Sequence, residues 1–251
     1  MSFLGILIAC ASIILANIIE GGNPLALIDI PAFFIIGGAT FGAMIVQFPP
    51  SVIAGALKQI KWALAAPKPD FDSQAALLKS FSQTARQSGL LALENQVSQI
   101  EDKLTRSGVQ MIVDGVSAEE MIDLLDLMVE AEEYELEQRA KVFEAAGGYA
   151  PCMGIVGAVL GLIHAMGLLD QPDLLGPAIG VAFIATIYGV TCANAMLLPL
   201  SNRFKAVNHE LIKFQNMTIA GLSSIVKGET SVALERRLNG YMQPKKDKEG
   251  K

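Results

Sequence analysis

Residues Pro151 to Leu200 read PCMGIVGAVLGLIHAMGLLDQPDLLGPAIGVAFIATIYGVTCANAMLLPL, and this stretch decides the fold. It holds no Lys or Arg, and its two acids, Asp170 and Asp173, fall in the middle. A helix needs about 20 mostly apolar residues to cross the hydrocarbon layer of a bilayer. Two such runs are present, one from about Tyr149 to Leu169 and one from Pro177 to Leu200, joined by the short polar link Asp170–Gly176. They read as a transmembrane hairpin.

A second hairpin lies at the start of the chain. Its runs are Ser2–Ile19 and about Ile30–Phe48, joined by Glu20–Asp29. The composition agrees: 52% of the 251 residues are apolar, 18% are charged, and the mean hydropathy is +0.44. A water-soluble domain carries about a quarter charged residues. This excludes a disordered chain, an ordinary cytosolic enzyme and, with a net charge of −6, a nucleic-acid binder. All 19 Lys and Arg fall between Pro49 and Gly148 or after Leu200, whereas the two short links hold only acids. The positive-inside rule therefore places both termini and the middle segment in the cytoplasm. The first run has no Lys or Arg before it and does not resemble a cleaved signal peptide, so it is expected to stay in the mature protein.

These patterns predict an all-α integral membrane protein: four transmembrane helices in two hairpins, with a helical cytoplasmic lobe. The expected divisions are 1–48 for the first hairpin, 49–148 for the lobe, 149–200 for the second hairpin and 201–251 for a cytoplasmic helix and tail. Within the lobe, Pro49-Pro50 ends the second span. An amphipathic stretch around Ile60, Trp62 and Leu64 follows, and Pro67-Lys68-Pro69-Asp70 breaks it. Helical spacing then runs from Ser73 to Gly108. Ser117 is placed to cap a further helix, with Glu120 three residues on, and that helix is expected to end near Gly147-Gly148. The acidic run Glu130–Glu137 reads as a solvated face. After Leu200 a helix is expected from Asn202 to about Tyr241, ending in a disordered tail at Lys245-Lys246-Asp247-Lys248.

The chemistry is one of absences. No phosphate loop, dinucleotide glycine pattern, nucleophile elbow or metal-ligand spacing occurs, so neither an enzyme nor a cofactor or metal site is expected. Cys10, Cys152 and Cys192 lie in apolar runs and read as small buried hydrophobes. The spans lack an ionisable residue apart from His164, near the outer end of the third. Ion carriers hold an intramembrane carboxylate, so an ion path here needs one from another chain. Two stripes of small residues could receive it: Gly154, Ala158, Gly161 and Ala165 on the third span, and Ala182, Thr186, Gly189 and Ala193 on the fourth. The same spacing equally suits two helices packed on each other.

PCMGIVGAVLGLIHAM, GPAIGVAFIATIYGV and LLPL in the second hairpin, with ARQSGLLALE at Ala85–Glu94 and VDG at Val113–Gly115, resemble the MotA/PomA family of flagellar motor stator subunits. The resemblance extends through nearly the whole chain. It implies five copies around a dimeric single-span MotB or PomB partner whose membrane Asp carries the ion, with torque delivered to the rotor protein FliG. By the same resemblance Arg86 and Glu94 are rotor-contacting charges, Pro151 and Pro199 are coupling prolines, and Thr186 is the pore threonine. Arg86 and Glu94 are eight apart, which on one helix places them broadly on the same side. Gln87 and Asn95 stand where relatives often carry further charge. Sodium-driven relatives have a Thr where this chain has Ala158, so protons are expected over sodium. The alternatives are an ExbB- or TolQ-like energiser of envelope processes, a self-contained channel and a structural scaffold. Four spans with a short first link argue against ExbB and TolQ, which usually have three.

Overall fold

The computed structural model describes residues 2–242, with side chains from residue 4 onward; the Lys245-Lys246-Asp247-Lys248 tail lies outside them. No strand occurs among the described residues. In chain order the helices are α1 Ser2–Ile19, α2 Ile30–Gln47, α3 Pro50–Gln59, α4 Lys61–Leu64, α5 Phe71–Ser88 and α6 Glu94–Val97. They continue with α7 Lys103–Val113, α8 Ala118–Met166, α9 Pro172–Thr191, α10 Leu198–Val226 and α11 Ser231–Asn239. Three helical stretches are long and apolar enough to cross a membrane: Pro24–Gln47 and segments within Ala118–Met166 and Pro172–Val226. Leu4–Ile19 is a shorter apolar helix.

The chain divides into two compact units whose limits differ from the expected ones. One comprises the residues up to Ala66 together with Glu135–Ala206, and the other comprises Pro67–Tyr134 and the chain from Val207. Helices run through both 148 and 200. Gly147-Gly148 does not end α8, a helix of 49 residues that runs from Ala118 to Met166. A Cβ at Gly147 would lie 2.6 Å from Cδ2 of Leu198, so this glycine admits a neighbouring side chain. Pro151 accordingly sits inside the helix and not in its first turn. Its missing N–H leaves the Gly147 carbonyl without the usual partner.

In the first unit, Phe48, Ile53, Ala56, Ala140, Phe143, Leu200 and Phe204 form one core cluster. The Phe143 and Phe204 rings meet edge to face at 5.1 Å. Ser201 Oγ donates to the Ala140 carbonyl (3.0 Å) and Lys205 pairs with Glu144 (2.7 Å). Asp29 caps α2 by accepting from the Ala32 amide (3.1 Å). The outer faces of α1, α2, α8 and α9 are studded with exposed Leu, Ile, Val and Phe, Ile19 at 77% and Val46 at 90%. Such surface suits hydrocarbon and not water. It also corrects the reading of the cysteines: Cys10 and Cys152 are exposed, and only Cys192 is half-buried. In a helix facing lipid, an apolar run does not imply an interior position.

In the second unit the core is Leu78, Phe81, Leu104, Val109, Met121, Leu125, Met217, Leu222 and their neighbours. The expected helix from Ser73 to Gly108 is three helices. Gly89, at φ +83°, ends α5 in a conformation that L side chains rarely adopt, and Asp102 starts α7 by accepting from the Thr105 amide (2.7 Å). Ser117 does cap α8, accepting from the Glu120 amide at 3.2 Å. The helix expected from Asn202 to Tyr241 is interrupted after Val226 by Gly228 at φ +64°.

A buried polar link crosses this core. Gln74 Nε2 donates to the hydroxyls of Thr105 (2.8 Å) and Thr218 (2.9 Å). Those hydroxyls in turn donate to Asp102 (2.6 Å) and the Phe214 carbonyl (3.1 Å). Gln74→Ala removes both central bonds and leaves a cavity. The expected cost is about 2–4 kcal/mol, read as a lowered melting temperature of the purified protein.

Candidate functional site

The small-residue stripes of α8 and α9 are used, in large part, against each other. A Cβ at Gly154 would lie 2.9 Å from the Ala185 carbonyl oxygen, and one at Gly161 would lie 2.7 Å from Cβ of Ala182. At Gly189 it would lie 2.5 Å from the Ala150 carbonyl oxygen. Ala150, Ala182, Ala185 and Ala193 are buried, as is Ala165. Of the two readings left open by the spacing, helix-on-helix packing therefore accounts for Gly154, Gly161, Ala182 and Gly189. Ala158 and Thr186 differ: both are half-buried. The Thr186 Cα packs against Gly154, one turn from Ala158, and its hydroxyl makes no hydrogen bond among the described residues. Membrane-helix Ser and Thr commonly bond back to the carbonyl four residues earlier, as Ser12 does to Ile8 (2.8 Å). Thr186 keeps its oxygen free.

Pro199 follows a π-helical segment, Cys192–Leu197, and is the second residue of α10. It does not terminate a helix. The wider π turn accommodates the proline's missing donor, and such insertions are frequent at functional sites. His164 is exposed in the last turn of α8. No cluster of His, Cys, Asp or Glu suited to a metal occurs among the described residues.

Arg86 and Glu94 both lie in the second unit and both are exposed. The break at Gly89 separates them, so the one-helix angle between them no longer applies: Arg86 is in the last turn of α5 and Glu94 begins α6. Leu91, between them, is 71% exposed. Arg86 lines a cleft of about 260 Å³ floored by Ala85, Leu90, Ile225 and Val226. Its Nη2 donates to the Glu229 carbonyl at 2.8 Å.

Glu229 was not singled out by sequence reasoning, although Gly228 followed by Glu229-Thr230 carries a helix-stop and helix-start signal. Its carboxylate accepts from Ser224 Oγ and Arg237 Nη2, both at 2.7 Å. The Ser224 hydroxyl, and then Arg237, hold its pKa below the ordinary value. Lys79 does the same for Glu235. Both groups favour the folded state as carboxylates, a contribution present above the unfolded pKa of about 4.5 and lost as pH falls through the lowered folded value. The melting temperature of the protein is therefore expected to fall as pH drops below about 4.5, and substituting Glu229 flattens that dependence.

The sequence pattern of the MotA/TolQ/ExbB proton channel family matches residues 96–217, and that of the motility protein A N-terminal region matches residues 3–90. Motility protein A of Helicobacter pylori is 35% identical over 243 residues, covering 97% of this chain and 95% of that relative. The chain belongs to the motility protein A family. Another relative is motility protein A of Bacillus subtilis, 32% identical over 98% of this chain and 92% of its own length. Among solved structures, that of C. jejuni MotAB superposes with a TM-score of 0.92 at 31% identity, covering 98% of this chain and 96% of that one. The flagellar MotAB stator complex of Bacillus subtilis gives 0.88 at 31% identity, covering 97% and 96%. The N-terminal match separates the chain from ExbB- and TolQ-like members of the wider family.

Proposed function

We propose that the chain is the multi-span stator subunit of a bacterial flagellar motor. With a single-span MotB- or PomB-type partner it forms an ion path, and ion flow through that path turns the rotor. The observation that carries this is the likeness to MotAB stator structures along 98% of the chain. The absence of a carboxylate within the four apolar runs supports the same reading, because the ion then travels on a partner's side chain.

In this reading the protein sits in the inner membrane with four spans. The 18 residues of α1 make a helix of about 27 Å, close to the hydrocarbon thickness. Both termini are cytoplasmic, by the distribution of basic residues. Thr186 offers its free hydroxyl to the ion path beside Ala158, and the transported ion is the proton. Pro151 and Pro199, each within or beside a continuous helix, serve coupling. Arg86 and Glu94 face the rotor protein FliG. Several copies, five by family likeness, surround the partner, and the chain makes or breaks no covalent bond.

The test is to express the chain with its neighbouring single-span partner in a flagellated strain lacking stators. Restored swimming together with co-purification of the partner is expected. An assembled complex that leaves the cells non-motile would overturn the stator reading in favour of an ExbB- or TolQ-like role.

A further inference from the structure

Arg86 is an exposed cation with one anchoring bond. A guanidinium carries five N–H donors. Here Nη2 goes to the Glu229 carbonyl, and no ion pair involves Arg86 among the described residues. A free arginine side chain loses about 2 kcal/mol of rotamer entropy when a partner immobilises it. Anchoring one nitrogen in advance reduces that loss and leaves the remaining donors for a partner's carboxylate.

The anchor is itself held firmly. The Glu229 amide donates to the Ser224 carbonyl (3.0 Å), and Gly228 at φ +64° turns the chain out of α10. The carboxylate is tied to Arg237 and to the hydroxyl of Ser224, a residue only 1% exposed. Three hydrogen bonds thus fix one turn, and the carbonyl of that turn receives Arg86 at the edge of the cleft. The pair is brought together from positions 143 residues apart in the sequence, so neither neighbourhood alone contains it.

We propose that Glu229 is the positioning residue for the Arg86 contact: it holds the guanidinium at the cleft so that an acidic partner surface meets it already oriented. This rests on the reading of Arg86 as a charge presented to the rotor.

The experiment compares binding of purified FliG to the purified complex of this chain with its single-span partner, alongside swimming speed, for Arg86→Ala, Glu229→Ala, Glu229→Gln and the double alanine variant. Arg86→Ala is expected to weaken binding about ten-fold. Glu229→Ala is expected to weaken it about three- to five-fold, less than loss of the charge itself. Glu229→Gln, whose amide oxygen can still accept from Arg237 while its NH2 donates to the Ser224 hydroxyl, restores most of it. The double variant binds no worse than Arg86→Ala alone. Should Glu229→Ala not assemble, Ser224→Ala removes one of the carboxylate's two donors and carries the same comparison. An Arg86→Ala effect with none from Glu229→Ala overturns the proposal. So does a Glu229→Ala loss of equal size in the Arg86→Ala background, which marks a general structural role. No effect of Arg86→Ala sinks the rotor-contact reading itself, and the proposal with it.

Discussion

Gly189→Val is expected to stop the motor. The nearest atoms to a Cβ at this position are all backbone: the Ala150 carbonyl oxygen at 2.5 Å, the Gly154 Cα at 3.1 Å and the Ala150 carbonyl carbon at 3.2 Å. No side chain can rotate away, so α8 and α9 must separate along the crossing. Membrane helices associate chiefly through close van der Waals contact, because lipid is as apolar as they are. Overpacking costs about 1–3 kcal/mol even where neighbours yield, and here they are peptide groups. The expected outcome is loss of swimming with at least about a ten-fold drop in recoverable complex. Gly55 provides the contrast. A Cβ there meets the long side chain of Arg139 at 2.7 Å, which can move, so Gly55→Ala should swim. A Gly189→Val strain that swims normally would mean that the close crossing is dispensable for torque.

Swimming speed driven by this stator should ignore sodium at fixed ionic strength and collapse when a protonophore is added. Each elementary charge moving through about 100 mV releases about 2.3 kcal/mol, so abolishing the proton gradient removes the whole driving force if protons are the fuel. The supply of oxygen favours protons. A hard cation shedding its water needs several oxygen ligands, whereas a proton needs a carboxylate and water. At the half-buried positions of the α8–α9 pair, Thr186 contributes one free hydroxyl and Ala158 contributes none. Speed that follows sodium would retain the stator and overturn the ion assignment.

The apolar helices were legible because hydrocarbon imposes a simple rule: about 20 residues without charge. Ser117 was legible too, since its cap depends only on the residues next to it. What escaped depended on partners distant in sequence. Gly147 and Gly89 carry the same local signal, yet one lies within a helix and the other ends one. The difference is that Gly147 admits Leu198, whereas Gly89 takes a positive φ. The angle drawn between Arg86 and Glu94 assumed a helix that Gly89 breaks. The stripes of α8 and α9 were visible as stripes, but spacing could not say that half of their positions face each other while Thr186 keeps an unbonded oxygen. Glu229 went unnoticed because its bond to Arg86 joins residues 143 positions apart.

The π segment Cys192–Leu197 has a consequence for how the long helical stretch from Pro172 to Val226 can change over time. A π turn holds about one residue more than an α turn, and one residue is about 100° of rotation. Upstream, Ala182 and Gly189 meet α8; downstream, Leu198 meets Gly147 and Ser201 reaches Ala140. The segment works as a phase shifter between these two sets. Each set can therefore drift in composition without dragging the other out of alignment. A single-residue insertion or deletion there is absorbed as a change of helix type, where elsewhere it would turn every following side chain to the wrong face.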